Sequence, residues 1–127
     1  MDRIKKLVLP EVADGALITS DINRRYFTGM KSSAGMLLIF KECAYLIIDF
    51  RYIEKARNTV KNCTVMEQEN LTEQINSLMK KHNAKSLAVE SMDMTLSRMS
   101  FLEKKFPDIE FIKSDELSNN IYDMRTI

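Results

Sequence analysis

Apolar and polar positions along the chain switch between two periods, and the switches mark the elements. Ile4, Leu7 and Val8 fall at helical spacing and are stopped by Pro10. Residues 16–19 form a short apolar run, read as a first buried strand. Ser20 then caps a helix carrying Ile22, Tyr26 and Phe27, which stops at Gly29. Two continuous apolar runs follow, 36–40 and 44–48, joined by Lys41-Glu42-Cys43. So short a link predicts an antiparallel hairpin, although the link lacks the Gly or Asn that would set its register. Asp49 reads as a helix cap for Tyr52, Ile53, Ala56 and Val60.

The second half repeats strand and helix more regularly. Residues 63–67 predict a fourth strand. Asn70 to Glu73 fits a capping box ahead of Leu71, Ile75, Leu78 and Met79. Residues 86–90 predict a fifth strand. Thr95 opens a helix with Leu96, Met99, Leu102 and Phe106, ended by Pro107. Residues 109–112 predict a sixth strand, and Leu117, Ile121 and Met124 a last helix. That helix meets no stop signal before Ile127, so the chain is expected to be the N-terminal part of a longer protein. Strands alternating with helices predict an α/β domain, and the hairpin makes its sheet mixed.

Composition narrows the partners more than the fold. With 127 residues the chain is one domain, 1–127, large enough for its own core. Nineteen basic residues against 18 acidic ones leave a net charge of +1, which gives no electrostatic footprint for nucleic acid or an anionic membrane. No apolar run nears the roughly 20 residues needed to span a bilayer, and no signal peptide is visible, so a cytoplasmic location is expected. Cys43 and Cys63 are then expected to be free buried thiols. The single histidine, His82, is expected to be a solvated residue at a helix C-terminus.

Catalytic patterns are poorly supported by the sequence. Asp21, Asp49, Glu90 and Asp93 follow strands, as nuclease metal ligands do, but the first strand carries no inward acid and Asp49 is explained as a cap. Ser32 and Ser33 have no histidine placed to activate them. The loop from Gly29 through Met30 and Ser33 to Gly35 lacks the GK[ST] of a phosphate loop, leaving a tight helix-to-strand connection or a weak phosphate cradle. Arg51 beside Tyr52 is the odd residue. A cation at a helix N-terminus gains nothing from the dipole, so it should have a carboxylate partner, either within the domain or on another chain or ligand.

Taken together, these segments resemble a known family. Ala13-Asp14-Gly15-Ala16-Leu17-Ile18-Thr19-Ser20, Asn23-Arg24-Arg25-Tyr26-Phe27-Thr28-Gly29, Ser33-Ala34-Gly35, Asp49-Phe50-Arg51-Tyr52 with Glu54-Lys55-Ala56, and Tyr122-Asp123-Met124-Arg125-Thr126-Ile127 occur in the order found in the creatinase/prolidase N-terminal domain. The resemblance covers nearly the whole chain. It implies a ribonuclease H-like, three-layer α/β/α fold with a mixed sheet. It further implies that this domain is non-catalytic and belongs to an Xaa-Pro aminopeptidase or dipeptidase. Catalysis would sit in a following pita-bread domain holding two divalent metals, commonly manganese or cobalt, with no catalytic residue and no metal ligand in this chain. The implied partners are that catalytic domain, a second subunit in a homodimer, and proline-containing peptides. The implied role is to help assemble the oligomer and to wall the partner subunit's active-site groove. Gly29, Met30, Ser33, Gly35, Asp49, Arg51 and Tyr52 are the residues expected near that groove. The alternative is a peptide- or protein-binding module, since some peptidase-like relatives have lost catalysis.

Overall fold

A computed structural model describes residues 2–32 and 34–126. Helix α1 (Arg3–Lys6) leads into strand β1 (Gly15–Ile18), helix α2 (Asp21–Thr28) and the hairpin strands β2 (Met36–Phe40) and β3 (Ala44–Ile48). A single 3-10 turn, Phe50–Tyr52, opens helix α3 (Ile53–Thr59). Then come β4 (Thr64–Glu67), α4 (Leu71–Lys81), β5 (Ser86–Glu90), α5 (Leu96–Lys105), β6 (Glu110–Ser114) and α6 (Asp115–Arg125).

The six strands form one sheet in the order β4-β3-β2-β1-β5-β6. β2 runs antiparallel to both β1 and β3, while the pairs β3–β4, β1–β5 and β5–β6 are parallel. The sheet is therefore mixed, as the hairpin predicts. Every strand except β2 points its C-terminus at the same edge.

Side-chain alternation splits the core into two layers. Ala16, Ile18, Leu37, Ile39, Leu46, Ile48 and Ala88 pack on one face with Ile4, Phe27, Ile53, Ala56, Leu117 and Ile121 of α1, α2, α3 and α6. Leu17, Leu38, Tyr45, Ile47, Leu87 and Val89 pack on the other with Ile75, Leu78, Met99 and Leu102 of α4 and α5. Both faces of the central strands are covered, which is why those strands read as unbroken apolar runs. This is the expected three-layer α/β/α arrangement. Each fully buried Leu or Ile contributes roughly 1.5–3 kcal/mol.

Local signals act mostly as predicted. Ser20 Oγ accepts the N–H of Asn23, and Gly29 ends α2 with φ of 76°. Asn70 Oδ1 accepts from Glu73 N–H, but Gln74 is the residue that reaches back, its Oε1 accepting from Glu69 N–H. Ser114 caps α6 through Leu117 N–H, closing β6 directly onto that helix. The hairpin aligns Met36 with Ile47 and Ile39 with Ala44, and Phe40 N–H donates to Cys43 O at 2.8 Å. Neither Lys41 nor Glu42 has a positive φ, so packing on both faces, rather than turn chemistry, holds the register. Three apolar positions at helical spacing face solvent instead of the core. Val8, Ile22 and Leu96 are strongly exposed, Leu96 by 90%.

Candidate functional site at the strand carboxyl ends

The edge where β1, β3, β5 and β6 end gathers most of the chain's buried polar chemistry. Burying polar groups requires that each be bonded, and two side chains organise this edge. Arg24 is 1% exposed. Its Nη1 donates to the carbonyls of Thr19 and Gly35, both at 3.1 Å. Its Nε donates to Ser32 Oγ at 3.2 Å, and its Nη2 to Ser32 O at 2.8 Å and to the Asp21 carboxylate. One planar fork thus ties the end of β1 to the loop that enters β2.

Glu90 is the second organiser and is fully buried. Its Oε1 accepts the backbone N–H groups of Thr19 and Ser20, at 2.7 and 3.2 Å, and its Oε2 accepts from Asn23 Nδ2 at 2.6 Å. Burial pushes its carboxyl above the usual carboxylate range, against the pull of those hydrogen bonds. Arg98 Nη1 also donates to Thr19 O, and Arg125 Nη1 donates to Asn23 Oδ1. The start of α2 is thereby clamped to β5, α5 and the last turn of α6.

Asp49 and Arg51 sit on the same edge at the end of β3. Asp49 Oδ1 accepts the backbone N–H of Arg51 at 2.8 Å, which caps the 3-10 turn. The Arg51 guanidinium closes a two-point ion pair on the same carboxylate, at 3.0 and 3.2 Å. The Arg51 side chain holds the Asp49 carboxyl below its usual range. Of the two carboxylate partners open to Arg51, the structure supplies the one inside the domain, with 57% of the Arg51 side chain still exposed. The Arg51 guanidinium also lies 5.5 Å from the centre of the half-buried Tyr52 ring.

Gly35 joins this group. Its φ is 131°, and a Cβ there would lie 3.2 Å from the Ile47 carbonyl, so the loop enters β2 against the end of β3, next to Asp49. Gly29 does not join it. It lies at the other end of α2, beside Arg3, Tyr26 and Asn62. Met30 is buried among the core residues of the α2 face and serves as packing within this domain. Ser33 lies outside the described residues.

Sequence reasoning passed over Asn23 and Arg24 as functional positions. A signal was present: they precede Phe27 and Thr28 by four residues, so they share the face of α2 that the core buries. Ile22, Phe50, Met92 and Leu96 are all exposed, in the segments that follow β1, β3 and β5.

No three His, Cys, Asp or Glu side chains among the described residues are grouped so as to hold a metal ion. Asp21, Asp49, Glu90 and Asp93 are already engaged with backbone N–H groups, Asn23 or arginine, and so do not fit a metal pair. No helix among the described residues is long and apolar enough to cross a membrane.

Known proteins share this fold. The chain is 31% identical over 114 residues to a Mycoplasma pneumoniae protein assigned as an Xaa-Pro aminopeptidase, an alignment covering 90% of this chain and 32% of that protein. It superposes on an Xaa-Pro dipeptidase from Bacillus anthracis with a TM-score of 0.79 and 28% identity, covering 91% of this chain and 32% of the other. A prolidase from Pyrococcus horikoshii gives 0.73 and 30%, covering 91% and 31%. The chain thus spans about a third of the length of each of these relatives. The model of the Creatinase/Prolidase N-terminal domain matches residues 1–127. With the mixed six-stranded sheet and its sequence agreeing over the whole length, this chain belongs to the creatinase/prolidase N-terminal domain family.

Proposed function

We propose that this chain is the non-catalytic N-terminal domain of a cytoplasmic, metal-dependent Xaa-Pro aminopeptidase or dipeptidase. It helps build a homodimer and walls the active-site groove of a partner subunit, where proline-containing peptides bind. Bond cleavage belongs to the remainder of the protein, which supplies the ligands for two divalent metal ions, manganese or cobalt. When bound, such ions would supply Lewis-acid polarisation and an activated water. The residues of this chain shape and limit the groove.

The observation that carries this reading is the strand carboxyl edge. Phe50 is 71% exposed there and is flanked by the Asp49–Arg51 ion pair, and Ile22, Met92 and Leu96 are exposed in the segments after β1 and β5. Exposed apolar side chains bordered by charge are what a contact surface requires. Underneath, Arg24 and Glu90 fix the backbone that presents them, and a groove wall needs that rigidity.

The test uses the full-length protein. Phe50→Asp should weaken the oligomer in size-exclusion chromatography, or relax the preference between an Xaa-Pro dipeptide and longer Xaa-Pro peptides. A variant that melts like the wild type and leaves both oligomer and length preference unchanged would refute the reading.

A further inference from the structure

At the opposite edge of the sheet, three side chains of different elements converge. Cys43 Sγ donates to Tyr45 Oη at 3.4 Å, and Tyr45 Oη lies 2.7 Å from His82 Nε2. Sγ is also 3.4 Å from the same Nε2. His82 is therefore not the solvated residue expected from its polar neighbours. Its ring stacks on Phe40 at 4.2 Å and 16°, which fixes the direction in which Nε2 points.

From this convergence we propose that Cys43 is a reactive thiol, with His82 as its base and the Tyr45 phenol as the conduit between them, and that it is open to hydroperoxides. The proton on Sγ moves to Oη as the phenol proton moves to Nε2, leaving a thiolate, a neutral phenol and an imidazolium. The thiolate attacks the peroxide: an S–O bond forms, the O–O bond breaks, and sulfur is oxidised by two electrons to the sulfenic acid. The departing oxygen takes the proton back from His82 and leaves as water or alcohol.

Two further features bear on this chemistry. The hydrogen bond to Cys43, with burial, pushes the Tyr45 phenol up to about 12, so the phenol stays protonated. Cys43 is only half-buried, so part of the residue faces solvent.

Charges around the cluster come in both signs. Lys41 and Glu42 of the hairpin turn face Glu11 and Asp14 across the cleft on the His82 side. Asp2 and Lys5 of the α1 region line a separate cleft with Ile39 and Ala44, and Lys81 Nζ lies 5.9 Å from the Tyr45 ring. His82, reached through Tyr45, is the base that can take the proton from the sulfur. Cys63 is an internal reference: burial, with Asp2 beside it, pushes its thiol up to about 11.

The experiment labels the intact protein with iodoacetamide from pH 5 to pH 10 and locates the label by peptide mass spectrometry. Cys43 should reach half its maximal rate at least about one unit below the free-thiol value of about 8.5. Cys63 should stay nearly unlabelled at neutral pH. His82→Gln should move the Cys43 profile back up and slow labelling at pH 7 by roughly tenfold, one pH unit being tenfold in thiolate. After dilute hydrogen peroxide, dimedone should trap a sulfenic acid on Cys43 and not on Cys63. A wild-type midpoint at or above the free-thiol value overturns the proposal whether or not the variant folds. So does a His82→Gln profile identical to that of the wild type.

Discussion

Asn23 Nδ2 donates to Glu90 Oε2 at 2.6 Å and to Asp93 Oδ2 at 3.2 Å, while its own Oδ1 accepts from Arg125 at 2.9 Å. The Asn23 amide is therefore fixed in one orientation. Because Glu90 Oε1 is taken by two backbone N–H groups, both of its oxygens must accept. Glu90→Gln would set an NH2 group against donors whichever way it turned. The expected loss is about 2 kcal/mol, seen as a drop of several degrees in Tm. A melt within about one degree of wild type would disprove this account.

Two carboxyls should shape the acid side of the stability curve with opposite signs. Glu90 is raised by burial, above its ordinary 4.5. Its contribution is fully present below that value and is lost as pH rises through its folded pKa. Asp14 is lowered, chiefly by the backbone N–H of Lys85 and then that of Ser86, which donate to its Oδ2. Its contribution is present above the ordinary 3.8 and is lost as pH falls through the folded value. Urea melts across pH 2.5–7 check both. The gap between wild type and Glu90→Gln should narrow as pH rises above about 4.5. The gap between wild type and Asp14→Asn should narrow as pH falls below about 3.9.

Arg24 should not tolerate even a conservative change. A lysine has one nitrogen for the carbonyls of Thr19, Gly35 and Ser32, and these cannot all be reached from one point. Arg24→Lys should cost about 3 kcal/mol or more, because buried acceptors are left without donors. It should also loosen the loop leading to Gly35, so trypsin should cleave after Lys31 faster than in the wild type. Unchanged melting together with unchanged cleavage would count against this role.

The strands were legible because both sheet faces are covered, so β2, β3 and β5 appear as unbroken apolar runs. The family resemblance was legible in the order of short segments. Residue type did not reveal which way a helix faces. Ile22 and Leu96 fit helical spacing but are exposed, while Asn23 and Arg24 look like surface residues and are buried. Glu90 was one of four acids following strands. Only the fold shows that β1 and β5 pair in parallel, which brings the N–H groups of Thr19 and Ser20 onto its carboxylate. His82 and Cys43 are 39 positions apart and meet because Phe40 and Tyr45, the hairpin positions on either side of the turn, pack on the face covered by α4.

Arg51 makes the sharpest test of whether the strand carboxyl edge serves the whole protein or only this domain. Its backbone N–H satisfies Asp49 without its side chain, so the cap on the 3-10 turn survives truncation. Its guanidinium pairs with Asp49 at an exposed position, where ion pairs contribute little to folding. Arg51→Ala should therefore leave the melting temperature of this domain unchanged. On the proposed groove-wall reading, the same guanidinium would meet a carboxylate of the full-length protein, exchanging an exposed pair for a desolvated one. There Arg51→Ala should lower kcat/KM for an Xaa-Pro peptide by roughly tenfold or more, as expected for loss of a charge-assisted hydrogen bond. If instead the domain melts lower while the kinetics of the folded enzyme hold, the arginine serves only its own Asp49, and the groove wall must be sought at Phe50 and Leu96. Melting and steady-state kinetics on the one variant distinguish these outcomes.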